Sequence, residues 1–239
     1  ATVKTGAATY SATSEFAMNV VAATPNQAPV ITLSGYSSSY TENADVLFDA
    51  SATFTDSDTP VLTGGNLIYQ VSANGSATDE LGIRHQGTGA GQIGLSGNDV
   101  TYEGVVIGSH TGFCNGSTPL VLNFNGNATT TAVQALLRNI TYRDTSDAPS
   151  TSTRTLSLTV SDGSGGTSAP TVVTMAVVAV NDAPVFGGLN GAPVFTEGGA
   201  AVVLDADVTL ADAELTAADN FSGATLTLSR QGGANAEDA

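Results

Sequence analysis

Apolar and polar residues alternate in short stretches along most of this chain. Leu67, Tyr69 and Val71 fall on one face of an extended segment, and Leu156-Ser157-Leu158-Thr159-Val160 repeats the pattern. Similar runs occur at Val30–Leu33, Val46–Phe48, Val100–Tyr102, Val105–Ile107, Leu120–Phe124, Ile140–Tyr142 and Thr171–Val180. Gly, Pro, Asn and Asp punctuate them, with Asn74-Gly75 reading as a turn and Asp162-Gly163-Ser164-Gly165-Gly166 as a hairpin loop. A helical period appears once, over Asn127 to Ile140, where Val133, Leu136, Leu137 and Ile140 line one face. Thr129 or Thr130 is placed to cap it. The expectation is an all-β chain of short strands, with one short helix covering an open end of the core.

The second organising signal is internal repetition. Asn26-Gln27-Ala28-Pro29-Val30 returns as Asn181-Asp182-Ala183-Pro184-Val185, and Thr41-Glu42 returns as Thr196-Glu197, both 155 residues further on. Thr2-Val3-Lys4-Thr5-Gly6 and Ser14–Ala23 resemble the segments that precede the second copy. The chain therefore divides into residues 1–25, the last strands of a preceding unit; 26–180, a complete unit; and 181–239, the first half of a following one. A unit of this length can bury a core of its own, whereas half a unit leaves strand edges and a core face open.

Charge narrows the functions. Lys plus Arg number 6 against 22 Asp plus Glu, a net charge of −16, which repels phosphate backbones and anionic bilayers and makes nucleic acid an unexpected partner. Many of the acids stand in turn motifs, as they would to hold a hard cation such as calcium. The apolar run Val172–Val180 is too short to span a bilayer, so no membrane insertion is expected in this segment. Cys114 stands alone, without a disulfide partner or a thiolate metal site. His85 and His110 read as solvated loop residues. No nucleophile, acid and base constellation appears, so an enzyme is not expected.

Glu42-Asn43, Ala52–Asp58, Gly65-Asn66-Leu67-Ile68-Tyr69, Leu156–Gly163 and Val177–Phe186 follow one another in the order and character of a cadherin repeat. The chain resembles the cadherin-like tandem modules of large bacterial surface proteins and adhesins. The match is good at the two ends of the complete unit and poor over residues 72–150. The resemblance implies an Ig/cadherin-like Greek-key β-sandwich with Ca²⁺ between successive units. Residue by residue it assigns Asn26, Asp56, Asp58, Asn66 and Asp162 to the pole facing the preceding unit. At the opposite pole it assigns Glu42, Asn181 and Asp182, with Asp212 and Glu214 from the following unit. Ala179 and Ala183 stand where the family carries further ligands, and Gln27 replaces the first linker's Asp, which implies fewer ions per junction. For Asp56, Asp58 and Asp162 the alternative is ordinary turn chemistry, a carboxylate bonded to nearby amides.

These readings lead to a structural and adhesive extracellular module at the cell surface, with junctions stiffened by calcium. Its partners would be neighbouring units of the same or adjacent chains, and a cell-surface protein or glycan. Two alternatives stand beside it: a self-assembling filament or surface-layer subunit completed by neighbouring chains, and a non-catalytic carbohydrate-binding appendage. The absence of Trp and the scattered 6 Tyr weigh against the last.

Overall fold

The computed structural model describes residues 24–111, 114–217 and 220–229. The strands expected within residues 1–25 lie outside the described residues. What is described is mostly β. In chain order come β1 (Val30–Thr32), β2 (Ser39–Thr41), β3 (Val46–Leu47), β4 (Thr53–Thr55), β5 (Asn66–Ala73), β6 (Asp79–Ile83), β7 (Ile93–Ser96), β8 (Asp99–Tyr102), β9 (Val105–His110) and β10 (Cys114–Asn115). They are followed by β11 (Leu120–Phe124), α1 (Thr130–Leu137), β12 (Ile140–Asp144), β13 (Arg154–Ser161) and β14 (Thr171–Val178). Past the second Asn-x-Ala-Pro lie β15 (Val185–Gly187), β16 (Thr209–Ala211) and the short helix α2 (Ala213–Ala217).

An eight-stranded mixed sheet runs β2-β14-β13-β5-β11-β9-β8-β7, and a four-stranded sheet runs β10-β6-β12-β3. The pairing of β2 with β14 is parallel; the other pairings described in the two sheets are antiparallel. Alternation sets which side chains face inward. Along β14, Val173, Met175 and Val177 are buried while Val172 and Val178 are exposed. One apolar cluster takes residues from both sheets, including Tyr69, Leu158 and Met175 from the larger and Leu81 and Tyr142 from the smaller. Each such side chain contributes about 1.5–3 kcal/mol on burial.

Helix α1 is shorter than its periodic stretch. Thr129 is the cap, its hydroxyl accepting the Ala132 amide at 3.2 Å. Val133, Leu136 and Leu137 are buried, and the outer face is tied to β4. There Gln134 Oε1 accepts the Phe54 amide at 3.2 Å and Arg138 Nε donates to the Ala52 carbonyl at 2.8 Å. Among the described residues no helix is long and apolar enough to cross a membrane.

Between the sheets sits a polar network that the apolar pattern does not announce. Arg154 of β13 is fully buried, as is Asp79 of β6, and its Nε donates to both Asp79 carboxylate oxygens at 3.0 and 2.9 Å. Its Nη2 reaches Asp144 at 3.2 Å, and its Nη1 reaches the Ser150 and Ser152 carbonyls. Tyr142 donates to Asp79 at 2.6 Å, and Tyr40 donates to the Asp144 carbonyl at 2.8 Å. Burial, followed by the Asp79 carboxylate, pushes the Tyr142 hydroxyl far above its usual range. Every charge is paired, as a dry interior requires. Asp144, which ends β12 ahead of the loop to β13, belongs to this network. His110 also differs from its expectation: it ends β9 and is buried, because β9 pairs with β11 inside the larger sheet.

The repetition is geometric as well as textual. In β1 and β4, Val30 pairs with Thr55, Ile31 with Phe54 and Thr32 with Thr53. In β15 and β16 the equivalent residues pair in the same register, Val185 with Ala211, Phe186 with Leu210 and Gly187 with Thr209. Asp49 Oδ2 accepts the Ser34 and Gly35 amides; its counterpart Asp205 Oδ2 accepts those of Asn190 and Gly191. These bonds, with those of Asp207, hold the Asp205 carboxyl at about 2. What the second copy lacks is cover. Tyr40 and Phe54 are 1% and 4% exposed, whereas Phe195 and Leu210 at the matching positions are 64% and 41% exposed.

Candidate metal centre

Three acids from distant parts of the chain converge beside the second Asn-x-Ala-Pro. Glu42 follows β2, Asp182 lies in the linker after β14, and Glu214 begins α2; one carboxylate oxygen from each lies within 4.8 Å of the other two. Each is positioned by the backbone. The parallel pairing carries β2 along β14, and beyond it the Glu42 amide donates to the Val178 carbonyl at 3.0 Å. Glu42 Oε2 in turn accepts the Val180 amide at 2.8 Å, which fixes the start of the linker. The Asp182 amide donates to Glu214 Oε2 at 3.2 Å. Asp212 Oδ1 caps the first turn of α2 by accepting the Leu215 amide at 2.8 Å, and this sets the direction of Glu214.

The remaining oxygens distinguish this cluster from a surface acidic patch. Glu42 is buried, 4% exposed, while Asp182 and Glu214 are half-buried. Glu42 Oε1 and Glu214 Oε1 are both enclosed and have no hydrogen-bond partner. A buried carboxylate oxygen without a donor costs about 1–3 kcal/mol or more, and three carboxylates this close repel one another. A cation among them would remove both penalties. All donors are hard oxygens, the set that suits calcium or magnesium and not a soft metal. Beside the cluster an open cleft of ≈ 560 Å³ is lined by Asp147, Asp182 and Asp212.

The other expected ligands divide into two groups. Asn181 is exposed and turned to the Asp182 carbonyl, and Asp212 is buried as the cap of α2. Neither belongs to the three-acid cluster. In the group expected at the pole facing a preceding unit, Asn26 Nδ2 donates to Asp162 Oδ2 at 2.7 Å, and Asn26 Oδ1 accepts the Thr59 hydroxyl at 3.3 Å. Asp162 Oδ1 accepts the Ser164 and Gly166 amides, so both its oxygens are engaged by protein donors. Burial opposes its charge, but Asn26 and the loop amides hold its carboxyl below the usual range. Gly166 is required here, since a Cβ would strike Asp162 Oδ2 and Asn26 Nδ2. Asp56 Oδ1 accepts the Asp58 and Thr59 amides, and Asp58 Oδ2 accepts the Gln27 amide at 2.8 Å. Asp56 Oδ2 is buried without a partner. Asn66 opens β5 half-buried and forms no side-chain bond to this group. Among the described residues, then, Glu42, Asp182 and Glu214 form the one acidic group close enough to share an ion.

No family model, curated protein or solved structure matches this chain.

Proposed function

We propose that this chain is part of an extracellular, cadherin-like tandem array, and that a calcium ion held by Glu42, Asp182 and Glu214 locks the complete unit to the one that follows. The eight- and four-stranded sheets then form an elaborated β-sandwich, with residues 181–184 as the junction. The observation that carries this reading is the three-acid cluster: one ligand from the unit, one from the linker and one from the next unit, with two enclosed oxygens unpartnered. An ion there ties all three segments and neutralises their mutual repulsion, replacing a flexible linker with charge-assisted ligation. The part the array plays is mechanical and adhesive, at a cell surface where calcium is abundant. Thermal melting with calcium and with chelator tests it: calcium is expected to raise the midpoint, and an unchanged midpoint would refute the site.

A second reading, assembly between chains, is favoured by the uncovered face of residues 185–217 and 220–229. Val194, Phe195, Leu204 and Leu226 are each more than half exposed there, and a neighbouring chain would cover them as Tyr142 covers Tyr40. Sedimentation across a concentration series tests this: a monomer throughout would refute it.

A further inference from the structure

The described part of this acidic chain contains four arginines, and they fall into two pairs. Arg143 bonds to Glu80 and Arg154 to Asp79 and Asp144. Arg84 and Arg138 form no ion pair among the described residues, although the chain carries 22 acids. Both line one concavity of ≈ 250 Å³ beside the C-terminal end of α1, together with Gln86 and Asn139.

Each guanidinium is oriented through a single nitrogen by a neutral oxygen. Arg84 Nε donates to Asn139 Oδ1 at 2.8 Å, and Arg138 Nε donates to the Ala52 carbonyl at 2.8 Å. The two NH₂ groups of each remain as donors. Asn139 is itself fixed, its Nδ2 donating to the Ala135 carbonyl at 2.8 Å. Gln86 gives its side-chain oxygen to the Ile93 amide, which leaves its NH₂ as a further donor. The helix end does not oppose an anion strongly, because its carbonyls are already capped: Gln134 by the Arg138 amide, Leu136 by the Asn139 amide and Ala135 by the Asn139 side chain. Glu103, which accepts the Gly91 amide at the rim, pairs with neither arginine.

Two preset cations repel each other in a shared concavity unless an anion bridges them. Guanidinium groups suit planar or tetrahedral oxyanions, to which they present parallel donors. We propose that Arg84 and Arg138 form an oxyanion-binding site, distinct from the metal centre, for the carboxylate, sulfate or phosphate group of a small acidic ligand. The site stands on the complete unit and does not depend on the calcium reading.

Isothermal titration of the metal-free full chain with sulfate, phosphate and glucuronate, at constant ionic strength and with glucose as neutral control, tests the site. Saturable binding of at least one of the three anions, and none of glucose, is expected. Preference among them separates a free inorganic anion from an acidic sugar. Arg84→Gln and Arg138→Gln should each weaken binding about ten-fold or more, while Arg143→Gln, which removes the same charge elsewhere, should not. If Arg138→Gln fails to fold through loss of its bond to Ala52, Arg84→Gln, on an exposed side chain, still decides the matter. Absence of saturable binding by all three anions, or equal weakening by Arg143→Gln, would overturn the proposal.

Discussion

Glu42→Gln is expected to stabilise the protein in chelator and to lose about 1 kcal/mol of that advantage in calcium. Without an ion, the three carboxylate oxygens within 4.8 Å repel by about 1 kcal/mol per pair at the dielectric of water and about 3 kcal/mol at an effective value of 20. The half-buried positions of Asp182 and Glu214 place the relief toward the lower figure. Gln retains an oxygen for the Val180 amide, so the bond that fixes the linker survives. With calcium the balance narrows. For an extracellular module of dissociation constant about 10⁻⁴ to 10⁻³ M, about 10 mM calcium adds about 1.4–2.7 kcal/mol. For a chain of this size that is roughly 3–10 °C in melting midpoint. Loss of one charged ligand lowers affinity about ten-fold and removes about 1 kcal/mol of that increment. The assay is a pair of melting curves for each protein, in calcium and in chelator, and calcium should raise the midpoint of the variant less than that of the wild type. A variant less stable than wild type by the same amount in both would refute the reasoning, because Glu42 would then act only through its bond to Val180.

Three further outcomes follow from the fold. Arg154→Met strands Asp79 and Asp144 without a counterion inside the core and should cost about 3–5 kcal/mol in urea denaturation; a loss under about 1 kcal/mol would show the network to be dispensable. Asp49 and Asp162 both have carboxyls held below their usual range: burial opposes the charge, and donors from Ser51, Gly35 and Ser34, or from Asn26 and the loop amides, outweigh it. A depressed folded value contributes stability above the unfolded pKa that is lost as pH falls through the folded one, so the protein should weaken progressively below about pH 4. Asp49→Asn with Asp162→Asn should flatten that acid limb in melts across pH. Thr129→Ala removes the cap of α1 and should cost about 1 kcal/mol by chemical denaturation.

The parts legible in sequence are those where local pattern and tertiary environment agree. Val173, Met175 and Val177 alternate because one face of β14 meets the core, and Val133, Leu136 and Leu137 keep a helical period because one face of α1 is buried. The acids at 42, 182 and 214 were named on the resemblance to a cadherin repeat, with the internal repeat carrying that pattern on to 214. Which of the expected ligands would share a centre was not, since that depends on backbone donors that no pattern encodes. Asp162 is engaged by Asn26, Ser164 and Gly166, and Asp212 by the first turn of α2. Strand β6 escaped notice for a related reason: its inward positions include Asp79, so its alternation reads as polar. The signal that could have exposed the buried network is a lone Arg, Arg154, opening a strand that alternates Thr or Ser with Leu and Val, in a chain with so few cations.

Comparison of the two junctions separates what the linker needs for shape from what it needs for a cation. At the first, the Gln27 amide donates to Asp58 Oδ2 at 2.8 Å; at the second, the Asp182 amide donates to Glu214 Oε2 at 3.2 Å. The same bond from linker backbone to loop carboxylate is therefore made whether residue two of the marker is Gln or Asp. Only the main chain of that residue is required for it, and the Asp182 carboxylate is left over from the geometry that orients the linker. At the second junction that surplus charge points to the same place as Glu42, whose own spare oxygen is enclosed. Asn-x-Ala-Pro thus makes its orienting bond with either Gln or Asp at x, and Asp at x, with Glu42 and Glu214, adds the charge that a cation would answer.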